Sequence, residues 1–380
     1  MDLEKMSTII FINNLGLGGA ERVVSRLFQN RDINDIATLW VFNDNFFYDC
    51  TAKKKVILSK KYKLLTYINA LIKLLKLDDT KLVQAHLNLP ILLSTCAKLF
   101  GAKFNLKTVH CFAYSSFYNR RGFLGKSHKF IFSKLLKKAD FHTFKSREMV
   151  DDFVETFGWR PERYSVIYNP YDIENITRLS NEVVNQCDLK NNKLNVAIVG
   201  RLNISKRSFD VIELALGTSD IAHYHFFGDG PLKEDLLKEV KNRKINNVTV
   251  HGMIKNPFKY VRKMGVYLSL SESEGFPNAL IESMICNAIP IHSDCKTGPK
   301  EILCDNYKDY SSIKSEFSVQ KRGVLFPVGD MLGASKAILY VFENYVELRE
   351  GFNSESREFI DSLAFDKISQ EYYLTLNKHS

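Results

Sequence analysis

The sequence predicts an α/β fold of two domains, each built on a parallel sheet. Three observations carry this: 380 residues exceed what a single core organises, short β-rich apolar runs alternate with helical spacing in two separate series, and an unpatterned Asn-rich stretch divides them. The first series opens with a strand at 8–12, followed by the loop Asn13-Asn14-Leu15-Gly16-Leu17-Gly18-Gly19-Ala20 and helical spacing at 21–28. Further strands are expected at 37–42, 81–85, 105–109 and 141–144, with helical segments between them. Residues 171–192 read as the linker. The second series has strands at 193–200, 224–227, 248–251, 266–270 and 289–292, and 354–376 reads as helix. Strands separated by helices imply parallel pairing. The expected domains are 1–170 and 193–353, with 354–380 as a terminal helix.

Composition excludes several classes. With 45% hydrophobic and 25% charged residues the chain is an ordinary globular protein. No apolar run reaches the 18 residues of a spanning helix, and the start Met1-Asp2-Leu3-Glu4-Lys5 is no signal peptide, so a cytoplasmic protein is expected. Seven scattered cysteines (50, 96, 111, 187, 286, 295, 304) contain no C-x-x-C pair, which points away from zinc and disulfides. Charge is unevenly divided: residues 1–170 hold 27 Lys and Arg against 15 Asp and Glu, the remainder 26 against 28. Two basic, apolar helices are expected in the first half, at 60–77 and 123–138. Such helices lie on anionic lipid or cover a sheet with solvated lysines. The absence of acids from 80 to 139 favours the anionic membrane surface, and without a recognition fold or aromatic platform nucleic acid is not the expected partner.

Residues 271–301 carry the chemistry. Pro277 suits the first position of a helix, which puts Glu274 in the loop before it and Glu282 about 7.5 Å along its axis. Phe276 has no side-chain acceptor, so the N–H groups of Asn278, Ala279 and Leu280 are left for an outside anion. A phosphate could sit there with the two acids on hydroxyls either side, the layout of a nucleotide diphosphate-sugar. Read alone, the same spacing also fits a solvated helix start with two surface acids.

Ordered motifs resolve that ambiguity. Gly16-Leu17-Gly18-Gly19-Ala20-Glu21-Arg22, Val199-Gly200-Arg201-Leu202 with Lys206, Phe227-Gly228-Asp229-Gly230-Pro231, His251-Gly252, Glu274 through Glu282, Thr297-Gly298-Pro299-Lys300-Glu301 and Gly323 through Asp330 follow one another along nearly the whole chain. In this order the chain resembles the retaining GT-B glycosyltransferases of family 4, which extend bacterial lipid-linked and capsular glycans. The resemblance implies two Rossmann-like domains facing across a cleft, with the C-terminal helix returning to the first.

It also implies roles. Glu274 matches the acid that contacts the donor sugar, and Glu282 the one that holds the ribose. Arg201 and Lys206 match the cations that clamp the diphosphate, which suits a chain with no Asp-x-Asp motif and no expected metal or cofactor. His110 matches a family histidine that approaches the donor sugar. Gly16, Gly18 and Gly19 look like the loop over phosphates and acceptor, and Ile254 lies in the stretch whose backbone reads the base, beside Phe276, Pro277, Asn278 and Ala279. The implied reaction is retaining transfer of a hexose or N-acetylhexosamine from a UDP-sugar, with UDP-GalNAc or UDP-Gal suggested by the 293–299 loop, to a lipid-linked or capsular glycan on the inner membrane face. Competing readings are a GT-B epimerase or phosphorylase and a non-catalytic membrane scaffold. A dinucleotide oxidoreductase is disfavoured, because Glu21 stands where the third glycine of G-x-G-x-x-G belongs.

Overall fold

The computed structural model describes residues 7–119, 122–184, 189, 192–309 and 316–377. The chain forms two compact units: residues 1–171 with 363–380, and residues 172–362. In the first, strands β1 (Ser7–Ile12), β2 (Ala37–Val41), β3 (Lys55–Ile57), β4 (Lys81–His86), β5 (Asn105–His110), β6 (Phe141–Phe144) and β7 (Tyr164–Val166) make a sheet of order β3-β2-β1-β4-β5-β6-β7. Every pairing is parallel, with Thr8 opposite Ala37 on one side of β1 and Leu82 on the other. Both faces are covered, so β1 reads as a continuous apolar run instead of an alternating one. Phe11, Val83, Leu106 and Phe144 enter one core, Ile10, Ile12, Leu39 and Val41 the other.

The second unit repeats the winding. Strands β8 (Leu194–Val199), β9 (Ala222–Phe227), β10 (Val248–Gly252), β11 (Val266–Ser269), β12 (Ile289–Ser293), β13 (Ser318–Gln320) and β14 (Gly323–Phe326) are ordered β10-β9-β8-β11-β12-β14-β13. Only the β13–β14 pairing is antiparallel. Val196, Phe226, Leu268, Ile291 and Val324 fill its core against the helices, at 0% exposure each. In both sheets the strand order reverses beside the first strand of the unit, between β1 and β4 and between β8 and β11. In open α/β sheets ligands bind at the carboxyl ends of the strands at such a switch.

Two expectations are corrected. The 171–192 segment is not a plain linker: Asp172 accepts from Asn175 N–H at 3.0 Å and starts the helix Ile173–Ser180, which belongs to the second unit. The rest of that segment lies partly outside the described residues. The helix expected at 354–376 is two helices, Tyr345–Ser362 and Phe365–Asn377, because Tyr171 N–H donates to Leu363 O at 3.0 Å and Phe365 N–H to Tyr171 O at 2.8 Å across the break. Only the second of these packs in the first unit, where Ile368 and Tyr372 join the β1 core. None of the six described cysteines forms a disulfide, and Cys187 lies outside the described residues.

Candidate active site

In the second unit the loops after β8 and β9 lie flush on each other. A Cβ at Gly228 would sit 1.8 Å from Gly200 O, and one at Gly230 would sit 2.2 Å from Leu202 O, so only glycine permits the approach. Leu202 N–H donates to Asp229 O at 2.9 Å, and the Asn203 side chain accepts from Lys206 N–H at 3.0 Å to start the single turn Ile204–Lys206. Arg201 is exposed at the mouth of a cleft that Gly200, Lys206, Tyr267 and Ser269 also line.

Lys206 meets Glu274 from the loop after β11 in an ion pair at the switch point. Glu274 Oε1 belongs to a side chain 11% exposed, Lys206 to one 31% exposed. Burial pushes the Glu274 carboxyl up, but the charge of Lys206 and hydrogen bonds from Lys206 and Ser271 hold it below the ordinary carboxylate value. Burial takes His292, at the end of β12, down to about 4, so it is neutral at pH 7. Backbone bonds fix the acid: Glu274 N–H donates to Lys296 O at 2.8 Å, Thr297 N–H to Glu274 O at 3.2 Å, and Thr297 Oγ1 to Gly275 O at 2.9 Å. A further bond from Glu272 N–H to Ser205 O at 2.9 Å, with Arg207 paired to both Asp210 and Glu272, stitches this loop to the Lys206 turn.

The helix after this loop runs Asn278–Ile285 with Pro277 as its N-cap, one position later than expected. Pro277 is extended (φ −70°, ψ 104°) and its side chain accepts no cap hydrogen bond, so it holds the acceptor-less cap position that the sequence reading gave to Phe276. Phe276 is buried at 5% exposure, and Asn278 and Ala279 are half-buried. Glu282, at 4% exposure, is on the inner side of this helix. The Tyr267 hydroxyl is raised above its ordinary value by burial first, and further by the charges of Glu274 and Glu282. Ser271 and Thr297 lie within the 271–301 segment already singled out, whereas Tyr267 and His292 carried no motif of their own; the signal available was their place on β11 and near the end of β12. Ile254 is half-buried just beyond the carboxyl end of β10.

The first unit encloses His110. His110 ends β5 but is 0% exposed, with Nδ1 2.7 Å from the Tyr114 hydroxyl and Nε2 3.0 Å from His142 Nδ1. Its ring stacks on Phe144 with centroids 4.5 Å apart, and burial first, then His142, keeps it well below the ordinary histidine value. Both ring nitrogens are thus engaged inside the unit, so the structure shows His110 packed among its own neighbours. In the glycine loop, Gly16 N–H is taken by the Asn14 side chain at 3.0 Å, while Gly18 caps the helix Gly19–Leu27 with the Glu21 carboxylate folded against it.

This fold is that of the GT-B glycosyltransferases. Anabaena HepE, solved with UDP, superposes with a TM-score of 0.74 at 16% identity, covering 98% of this chain and 99% of that one. Sucrose-phosphate synthase from Thermosynechococcus elongatus gives 0.75 at 13% identity, over 97% and 98%. A family model described as glycosyl transferases group 1 matches residues 181–359, and one described as Glycosyltransferase Family 4 matches 42–175. The chain belongs to this family and is a hexosyltransferase by class. It is 30% identical, over 78% of its length and 83% of the other, to a Campylobacter jejuni enzyme named as an N-acetylgalactosamine-N,N'-diacetylbacillosaminyl-diphospho-undecaprenol 4-α-N-acetylgalactosaminyltransferase. It is 25% identical, over 56% of its length and 41% of the other, to the Staphylococcus aureus poly(ribitol-phosphate) α-N-acetylglucosaminyltransferase.

Proposed function

We propose that the protein transfers an N-acetylhexosamine or hexose from a UDP-sugar, GalNAc or Gal first, to a hydroxyl of a lipid-linked glycan, with retention at the anomeric carbon and without a metal ion. The observation that carries this is the Lys206–Glu274 pair at the switch point, next to Arg201 and a helix start whose N-cap residue has no acceptor. The cations and the helix N-terminus neutralise the leaving diphosphate, Glu274 holds sugar hydroxyls, Glu282 the ribose, and backbone near Ile254 the base. A donor phosphate oxygen takes the acceptor proton, since neither acid is offered as a nucleophile beneath the anomeric carbon. The C. jejuni relative, by its name, uses a diphospho-undecaprenol acceptor, which supports an acceptor of that kind here.

Such an acceptor brings the enzyme to a bilayer, and the helix Lys63–Leu75 suits that. Its inner face is Thr66, Ala70 and Leu74, while Leu64, Leu65, Ile68 and Ile72 are exposed at 68%, 47%, 43% and 47%. Lys60, Lys61, Lys63, Lys73 and Lys76 flank these side chains, a pairing of apolar and cationic surface that an anionic leaflet satisfies. No helix among the described residues is long and apolar enough to cross a membrane.

The test is a donor screen with UDP- and GDP-sugars and a short undecaprenyl diphosphate-linked acceptor, with and without EDTA, scoring nucleotide release and the product's anomeric configuration. An α-linked product from a UDP-sugar, indifferent to EDTA, is expected. A β-linked product or an EDTA-dependent reaction refutes the mechanism. UDP-sugar turnover without acceptor would indicate an epimerase, and no turnover with intact binding a scaffold.

A further inference from the structure

At the carboxyl edge of the first sheet, three hydrogen-bond donors are buried with nothing to receive them. Lys145 follows β6 directly and is 2% exposed, and its Nζ has no hydrogen-bond partner among the described residues. It lies 4.6 Å from the centroid of the Tyr372 ring, whose own hydroxyl is likewise unpartnered. His86, the last residue of β4, is 0% exposed; the Gln84 amide nitrogen sits 2.8 Å from its Nε2, which makes Nε2 the acceptor and leaves the proton on Nδ1, again without a partner. Lys145 and His86 act on each other electrostatically, as do Lys145 and the half-buried Cys111 after β5. Burial lowers Lys145 to about 8, so it is still mostly charged at pH 7. A buried charge without an opposite charge destabilises a fold, and the ring of Tyr372 is weak compensation.

We propose that Lys145, the His86 Nδ1–H and the Tyr372 hydroxyl form an oxyanion subsite that holds a phosphate or carboxylate group of the acceptor. The strand ends where ligands gather in such sheets are where it lies. The assignment rests on the transfer reading above and adds the acceptor's charge to it. A phosphate would come from the lipid diphosphate, a carboxylate from an acidic sugar.

The experiment is thermal melting of the full chain carrying Arg201→Ala and Lys206→Ala, which removes the two cations assigned to the donor diphosphate, titrated with inorganic phosphate or glucuronate. One of the two anions is expected to raise Tm by several degrees, and its identity tells the two sources apart. Adding Lys145→Met should abolish that shift while raising the anion-free Tm, because an unpaired buried charge is removed. A shift that survives Lys145→Met, no shift with either anion, or an anion-free Tm lowered by Lys145→Met would overturn the subsite. UDP affinity of the otherwise wild-type Lys145→Met chain should stay within twofold; a tenfold loss would assign Lys145 to the donor instead. Wild-type protein that binds the anion but not UDP would refute the transfer reading alone.

Discussion

Lys206 and Glu274 are 68 residues apart in sequence, yet their side chains form one ion pair between the loops that follow β8 and β11. Each supplies what the other's position lacks: a nearly buried carboxylate kept ionised, and a flexible ammonium held at the switch point. Lys206→Ala should therefore do more than remove a phosphate contact. It should raise the Glu274 titration, lower stability by about 1–2 kcal/mol, between an exposed pair and a fully buried one, and reduce transfer by about 100-fold or more, the scale of losing one charge-stabilising donor. Urea unfolding of Lys206→Ala, Glu274→Gln and the double variant checks the coupling. Additive effects on stability would mean the pair is incidental.

His110 distinguishes packing from catalysis. Removing its ring should cost about 3 kcal/mol, from the cavity left among Phe144, Phe153 and Tyr114 and from the stranded Tyr114 hydroxyl. His110→Ala should thus lower Tm and leave UDP affinity of the folded fraction unchanged. A variant that melts like wild type but has lost transfer would restore the sugar-contact role.

Acid should unfold the protein through its histidines. His142 and His292 are brought by burial to about 4 from an ordinary 6.5, and His86 and His110 are lowered well below it. The unfolded chain binds protons first, so this stability is complete above about 6.5 and is lost as pH falls from there towards 4. Denaturant midpoints measured at pH 7.5, 6, 5 and 4.5 should decline across that window, and less so in His142→Gln. A flat profile would mean these rings are hydrated.

Membrane docking should depend on the outer face of the helix Lys63–Leu75. Replacing Leu64, Ile68 and Ile72 together by Glu should leave Tm unchanged, since none is buried, and should abolish co-sedimentation with phosphatidylglycerol vesicles. Equal binding by the variant would point to another surface.

How far the sequence was readable depends on whether a signal was local. β1, β8 and β11 stood out because strands buried on both faces are runs of β-branched and aromatic residues. The Arg201, Lys206 and Glu274 positions were legible because glycine and proline punctuate the loops that carry them, and Glu282 because Pro277 marks the start of its helix. β3 and β7, three residues each with exposed neighbours, are too short to show a period. The helix Ile173–Ser180 was hidden by the polar, Asn-rich stretch it opens, although Asp172 three residues before Asn175 was a cap signal in plain view. For His110, strand-end position was readable, but enclosure by Tyr114, Phe144 and Phe153 comes from separate elements and leaves no local mark. The same holds for Leu363, where pairing with Tyr171 breaks a helix that its own residues would continue.

That pairing has a consequence for synthesis. Since residues 172–362 form a unit of their own between two parts of the other, the ribosome releases a foldable second unit while the first still lacks the strip of chain that covers Lys107 and Tyr171. The hydrogen bond from Lys107 to Thr375 O can form only after residue 375 has been made. The unit begun first is thus completed after the second, and its β1 core stays open until Ile368 and Tyr372 have been made.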